Sequence, residues 1–100
     1  MPKYRLSEAA DKDLSDIYEY TYREFGELQA DTYFTALEEL LSKLGNNPKL
    51  GVEVSALREG YRRFVHKRHA IYYTTDRRGI FVVRILGPGM TAERHIAPGE

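Results

Sequence analysis

Apolar and polar positions along the chain change period once, and that change divides it into two halves. "KYRLS" (3–7) alternates, with Tyr4 and Leu6 on one side, and predicts a short strand. Ser7 then offers an N-cap oxygen to a helix opening "EAADKDL", whose early acidic residues complement the helix dipole. Ala10, Leu14, Ile17, Tyr18, Thr21 and Phe25 follow helical spacing, and Gly26 supplies the stop. A second helix carries the strongest period: Ala30, Tyr33, Phe34, Leu37, Leu40, Leu41 and Leu44 form one stripe, with Asp31, Glu38, Glu39 and Lys43 mostly away from it. "GNNP" (45–48) ends that helix. A link this short predicts an antiparallel helical hairpin, and a stripe of this kind reads as core.

After "KLGVEVSALREG" the period falls to about 2. "YRRFV" (61–65), "HAIYYTT" (69–75) and "IFVVRIL" (80–86) are rich in β-branched and aromatic residues and predict three strands. "DRRG" (76–79) suits a hairpin built on a type I turn with a following bulge. In "GPGMTAERHIAPGE", Thr91 is placed to cap one helical turn. The order β-α-α-β-β-β predicts an α+β class, an N-terminal strand and an antiparallel helical hairpin packed on one face of an antiparallel β-sheet. One hundred residues suffice for one core, so residues 1–100 are expected to form a single domain without repeats or linker.

Composition narrows the function classes. No apolar run approaches the roughly 20 residues that span a bilayer, and "MPKYRLSEAADKD" lacks the apolar core of a secretory signal. Cysteine is absent, which removes disulfides and thiolate chemistry and fits a cytoplasmic setting. Net charge is zero but polarised: residues 1–50 hold six Lys/Arg against ten Asp/Glu, and residues 51–100 hold nine against five. Between Arg58 and Arg68 five basic residues face only Glu59, a bias that suits an anionic partner or an ordinary solvated sheet face.

The chemistry-bearing residues leave few options. His66, His69 and His95 are the only good nitrogen ligands, and His66 and His69 converge only if the chain turns at Lys67–Arg68. Cationic neighbours disfavour a further cation there, so neither a metal nor another cofactor is expected. Ser7, Ser15, Ser42 and Ser55 lie outside any nucleophile elbow, and "GPG" (87–89) is not a phosphate cradle. The acidic pair Asp13 and Asp16 reads as a solvated helix face. A metal-free ribonuclease needs a base, an acid and cations for the phosphorane, types that Arg62, Arg63, Lys67 and Arg68 offer with His66, His69 or His95. Strand alternation over "EGYRRFVHKRHAIYY" (59–73) equally predicts aromatics turned inward and basic groups outward.

Four phrases in this order resemble the ParE toxins of the RelE/ParE toxin–antitoxin superfamily: "YRLSEAADKDLSDIYEYT", "FGELQADTYFTALEELLSKLGNNPKLG", "LREGYRRFVHKRHAIYYTTDRRGIFVVRIL" and "GMTAERHI". The resemblance spans nearly the whole chain and implies the same fold. It also implies a toxin of a type II system that inhibits DNA gyrase without catalysing a reaction. RelE-like relatives on this scaffold are ribosome-dependent mRNA endoribonucleases, for which the corresponding set here is Arg84, His95 and Arg63. This chain carries Ile96 where those nucleases carry an aromatic, and no Tyr follows Tyr73, which favours the non-catalytic reading. A third alternative is an antitoxin-binding module without toxicity.

The implied partner is a ParD-like antitoxin whose C-terminal part folds onto the toxin and whose N-terminal part dimerises and binds operator DNA. The toxin then meets DNA only indirectly, within a hetero-oligomer and away from membranes. An acidic antitoxin segment is expected on Arg58, Tyr61, Arg62 and Arg63, with Tyr18 and Tyr22 contributing a groove. The resemblance directs Met90, Glu93, Arg94 and His95 toward gyrase.

Overall fold

A computed structural model describes residues 3–96. Strand β1 (Tyr4–Leu6) leads into helix α1 (Glu8–Phe25), which Gly26 separates from helix α2 (Glu27–Asn46). A single 3-10 turn at Pro48–Leu50 precedes β2 (Val52–Glu53), β3 (Arg62–His66), β4 (His69–Asp76) and β5 (Gly79–Leu86), and a short helix α3 spans Ala92–His95. The caps behave as their chemistry requires: Ser7 Oγ accepts the Ala10 N–H at 2.9 Å, and Gly26 takes φ 90° to break the helices apart.

The five-stranded sheet has the order β1-β5-β4-β3-β2. Three of its ladders are antiparallel, whereas β1 runs parallel to β5 with Tyr4 opposite Ile80, so the sheet is mixed rather than wholly antiparallel. The reason is topological: the helical hairpin and three further strands return the chain beside β1 in its starting direction. The added β2 is only two residues long, too short for any period to announce it. The β4–β5 turn also differs from expectation. Asp76 pairs with Gly79 across Arg77–Arg78, Asp76 Oδ1 accepts the Arg78 N–H at 2.8 Å, and the register irregularity lies between Tyr72 and Tyr73. Gly79 has φ 123°, and a Cβ there would overlap the Lys3 carbonyl that receives the Ile80 N–H, so only glycine fits.

The helical hairpin covers one face of the sheet, and a loop with α3 covers part of the other. Against the helical hairpin, Leu14, Leu37, Leu41 and Leu44 pack on Ile71, Tyr73, Ile80, Val82 and Ile85. The three-residue step from Val82 to Ile85 keeps both on that face, because the irregularity shifts the alternation between them. On the outer face a smaller cluster joins Tyr61, Tyr72, Leu86, Ala92 and Ile96, with Val54 and Leu57 from the β2–β3 loop packed against it. The expected one-faced packing is therefore incomplete: the loop and α3 cover part of the second face. Phe25, expected in the first helical stripe, is 66% exposed, since it lies in the last turn beyond the sheet.

Candidate functional site

Beyond Leu6, β5 loses its β1 partner, and α1 supplies the missing hydrogen bonds. The Ser7 N–H donates to the Val82 carbonyl at 2.9 Å, and Ser7 Oγ donates to the Val83 carbonyl at 2.7 Å. Asp13, one turn and a half into α1, reaches the same edge and accepts the Ile85 N–H at 2.9 Å. Arg84 completes the arrangement with a two-pronged bond, Nε to Asp13 Oδ2 at 2.8 Å and Nη2 to Oδ1 at 2.9 Å. Its Nη1 donates to the His95 carbonyl at 2.9 Å, which fastens α3 to the sheet. Asp13 is thus buried rather than part of a solvated acidic face. Hydrogen bonding to Asp13 raises the Arg84 pKa above its ordinary value, with burial pulling the other way.

On the outer face, next to this ion pair, lies an open groove of about 680 Å³. Tyr61, Phe81, Val83 and Ile96 make its apolar lining, Ala9 of α1 forms one side, and Arg58, Thr74, Arg84 and His95 bring polar groups. The loop that carries Arg58 is braced by Val54 N–H to Tyr61 carbonyl at 2.9 Å and Tyr61 N–H to Arg58 carbonyl at 3.1 Å. Within it the Arg58 guanidinium lies 5.8 Å from the Tyr61 ring centroid, and its Nη1 is enclosed without an acceptor among the described residues. His95 Nδ1 is 2.9 Å from the Thr91 carbonyl, an internal bond of α3's first turn.

The structure separates the other candidate residues. Arg62 opposes Tyr73 and shares the helix-side face with Phe64, where its guanidinium donates to the carbonyls of Gly51 (2.7 Å) and Lys49 (3.4 Å) and contacts Glu53. The expectation of outward basic groups fails there, because three acceptors at the sheet edge hold it. Arg63 lies on the opposite side, across from Tyr72, with Nε enclosed and without a partner among the described residues. Tyr72 in turn opposes Arg84, so Arg63 and Arg84 stand two strand spacings apart, roughly 10 Å, with a tyrosine between them. Tyr18 donates to Asp31 at 2.6 Å and packs edge-on against Phe34, and the Asp31 bond pushes its pKa up to about 12. Tyr22 is 49% exposed nearby. Met90, Glu93 and Arg94 are exposed around α3, and only His95 of that segment lines the groove.

His66 and His69 do meet, as a directly opposed pair across the Lys67–Arg68 turn, where Lys67 takes φ 54°. The Tyr33 hydroxyl lies 2.6 Å from His69 Nδ1, and its ring is 6.0 Å from that of His66. Burial lowers both imidazole pKa values, helped by Lys67 at His66 and by His66 and Arg68 at His69. Among the described residues no group of three or more His, Cys, Asp or Glu side chains is placed to hold a metal ion. Nor is any described helix long and apolar enough to cross a membrane.

Comparison with known proteins agrees with this geometry. The profile of the family described as ParE toxin of type II toxin–antitoxin system, parDE, matches residues 4–90. Toxin ParE1 of Caulobacter vibrioides is 33% identical over 96 residues, covering 96% of this chain and 99% of that protein. Toxin ParE1 of Mycobacterium tuberculosis is 33% identical over 95 residues, covering 94% of this chain and 97% of its own. A solved structure of the chromosomal ParDE system from P. aeruginosa superposes with a TM-score of 0.72 over 87% of this chain and 96% of its own, at 19% identity, which establishes the common fold.

Proposed function

The chain belongs to the ParE toxin family of type II toxin–antitoxin systems, and from that premise we propose that it stalls DNA gyrase without being an enzyme. In this reading it acts in the cytoplasm and is held silent by a ParD-like antitoxin. The observation that carries the non-catalytic part is the state of Arg84. Phosphodiester cleavage without a metal needs a cation free to meet the phosphorane, beside a base and an acid. Arg84 has already committed Nε, Nη1 and Nη2 to Asp13 and the His95 carbonyl. Arg63 stands across Tyr72 from it, so the set Arg63, Arg84 and His95 does not converge on one reacting atom. The same residues serve better as scaffold: the Asp13–Arg84 pair fixes α3, which presents Glu93, Arg94 and His95, with Met90 just before it, as the gyrase-directed segment.

The test is a supercoiling assay with purified gyrase, run beside cleavage of ribosome-bound mRNA. The toxin is expected to block supercoiling or trap cleaved DNA and to leave the message intact. Normal supercoiling at large toxin excess refutes the gyrase reading, and message cleavage refutes the non-enzymatic one.

A further inference from the structure

The outer groove brings together members of both candidate sets, Arg58 on the loop and Tyr61 after it from the antitoxin set, and His95 on α3 from the gyrase-directed one. Its electrostatics are narrower than the basic composition of the region suggests. Arg84 is neutralised by Asp13, Ser7 Oγ is spent on Val83 and Ala10, and His95 Nδ1 is turned to Thr91. That leaves Arg58 as the full cation of the groove without an ion pair among the described residues, and Glu59 stands exposed beside it. A nucleic-acid backbone is held by several cations acting on successive phosphates. One guanidinium next to a carboxylate, over an apolar lining, does not meet that need.

It does meet the need of a single carboxylate with an apolar neighbour. The Arg58 guanidinium lies over Tyr61, and Nη1 is already enclosed without an acceptor among the described residues, so part of its desolvation cost is met before anything binds. Phe81, Val83 and Ile96 then provide contact area for an aliphatic or aromatic side chain adjacent to the acid. We infer that this groove is the seat of one acidic side chain of the antitoxin, docked on Arg58, with the neighbouring antitoxin residue on the apolar lining. The inference rests on the reading of the chain as an antitoxin-neutralised toxin. It adds a mechanism: a segment seated here lies across His95 and Ile96, so neutralisation masks the C-terminal segment directly.

The test titrates the cognate ParD-like antitoxin onto wild-type toxin and onto the Arg58→Met and Ala9→Trp variants by calorimetry, with Arg77→Met, an exposed cation of the β4–β5 turn, as the control. Near-ultraviolet circular dichroism checks that each variant is folded. Arg58→Met removes the charge, whereas Ala9→Trp fills the groove from an exposed helix position and leaves Arg58 in place. A lost charge-assisted bond corresponds to a roughly 10- to 100-fold weaker Kd, expected for Arg58→Met, with a steric loss of the same order for Ala9→Trp and none for Arg77→Met. Affinity within twofold of wild type for both groove variants overturns the assignment while the neutralisation reading stands. Loss in Arg58→Met alone also overturns it, because Arg58 then acts from outside the groove. An antitoxin that fails to bind the wild-type toxin overturns both.

Discussion

Replacing Asp13 by Ala tests whether the α1–β5–α3 junction is the structural hub of the fold. The carboxylate accepts three bonds, from Arg84 Nε, Arg84 Nη2 and the Ile85 N–H, and the side chains of Asp13 and Arg84 are only 8% and 19% exposed. Its removal leaves a mostly buried guanidinium without its counter-charge, a loss of about 3–5 kcal/mol. The orphaned Ile85 N–H carries a penalty of about 1–3 kcal/mol, which overlaps the first because one carboxylate serves both donors. A net loss of about 4 kcal/mol removes much of the roughly 5–15 kcal/mol that holds a domain of this size together. The double variant Asp13→Leu, Arg84→Met removes both charges and keeps the volume, so it should be less destabilised than Asp13→Ala alone. Urea unfolding of the wild type, Asp13→Leu, Arg84→Met and the double variant closes the cycle, with Asp13→Ala measured beside it. The expected coupling between the two sites is about 2–3 kcal/mol. Asp13→Ala within about 1 kcal/mol of wild type, or a double variant that costs the sum of the singles, refutes the hub.

Two other perturbations have worked signs. Tyr73 Oη donates to the Pro48 carbonyl at 2.6 Å and accepts the Gly51 N–H at 3.0 Å, so Tyr73→Phe should cost about 1–3 kcal/mol in urea unfolding and speed amide exchange at Gly51; unchanged exchange there refutes the link. His66 and His69 have lowered folded-state pKa values, so the unfolded chain binds protons more readily than the folded one. Their stability contribution is fully present above the unfolded value of about 6.5 and is lost as pH falls through the folded values, with a slope of at most about 1.4 kcal/mol per pH unit for each group. Urea midpoints should therefore drop between pH 7.5 and 5.5, and less so in His69→Phe; equal slopes in the two proteins refute the role of the pair.

The parts of this fold that were legible in the sequence are those with a long uniform period. The stripe from Ala30 to Leu44 could be read because its apolar period runs unbroken along α2 toward the interior, and its buried members are Ala30, Leu37, Leu41 and Leu44. Ser7 and Gly26 were legible because a cap depends on local chemistry alone. Asp13 was missed although a signal existed. It sits three residues from Ala10 and next to Leu14, hence on the buried stripe, where an acid demands a partner. The partner is 71 residues away, and no local pattern identifies it. The outer-face cluster was hidden for a similar reason: Val54, Leu57 and Ile96 come from a loop and a single helical turn, which have no period to read.

The nuclease question turns on the same distinction between local and distant information. Arg84 and His95 carry residue types that suit phosphodiester chemistry, and their proximity in the fold is real, since Arg84 Nη1 donates to the His95 carbonyl. The contact is to the backbone, however, and the guanidinium's remaining bonds run to Asp13. A cation in that position stabilises a carboxylate already present, and hydrogen bonds made equally in the ground state lower no barrier. What the junction does supply is an anchor for α3, with His95 held through its carbonyl by Arg84 on one side and Ala92 and Ile96 packed with Tyr61 and Tyr72 on the other. An exposed Glu93–Arg94 pair on this anchored turn beside His95 loses little ordering entropy on docking, which favours tight binding of a partner.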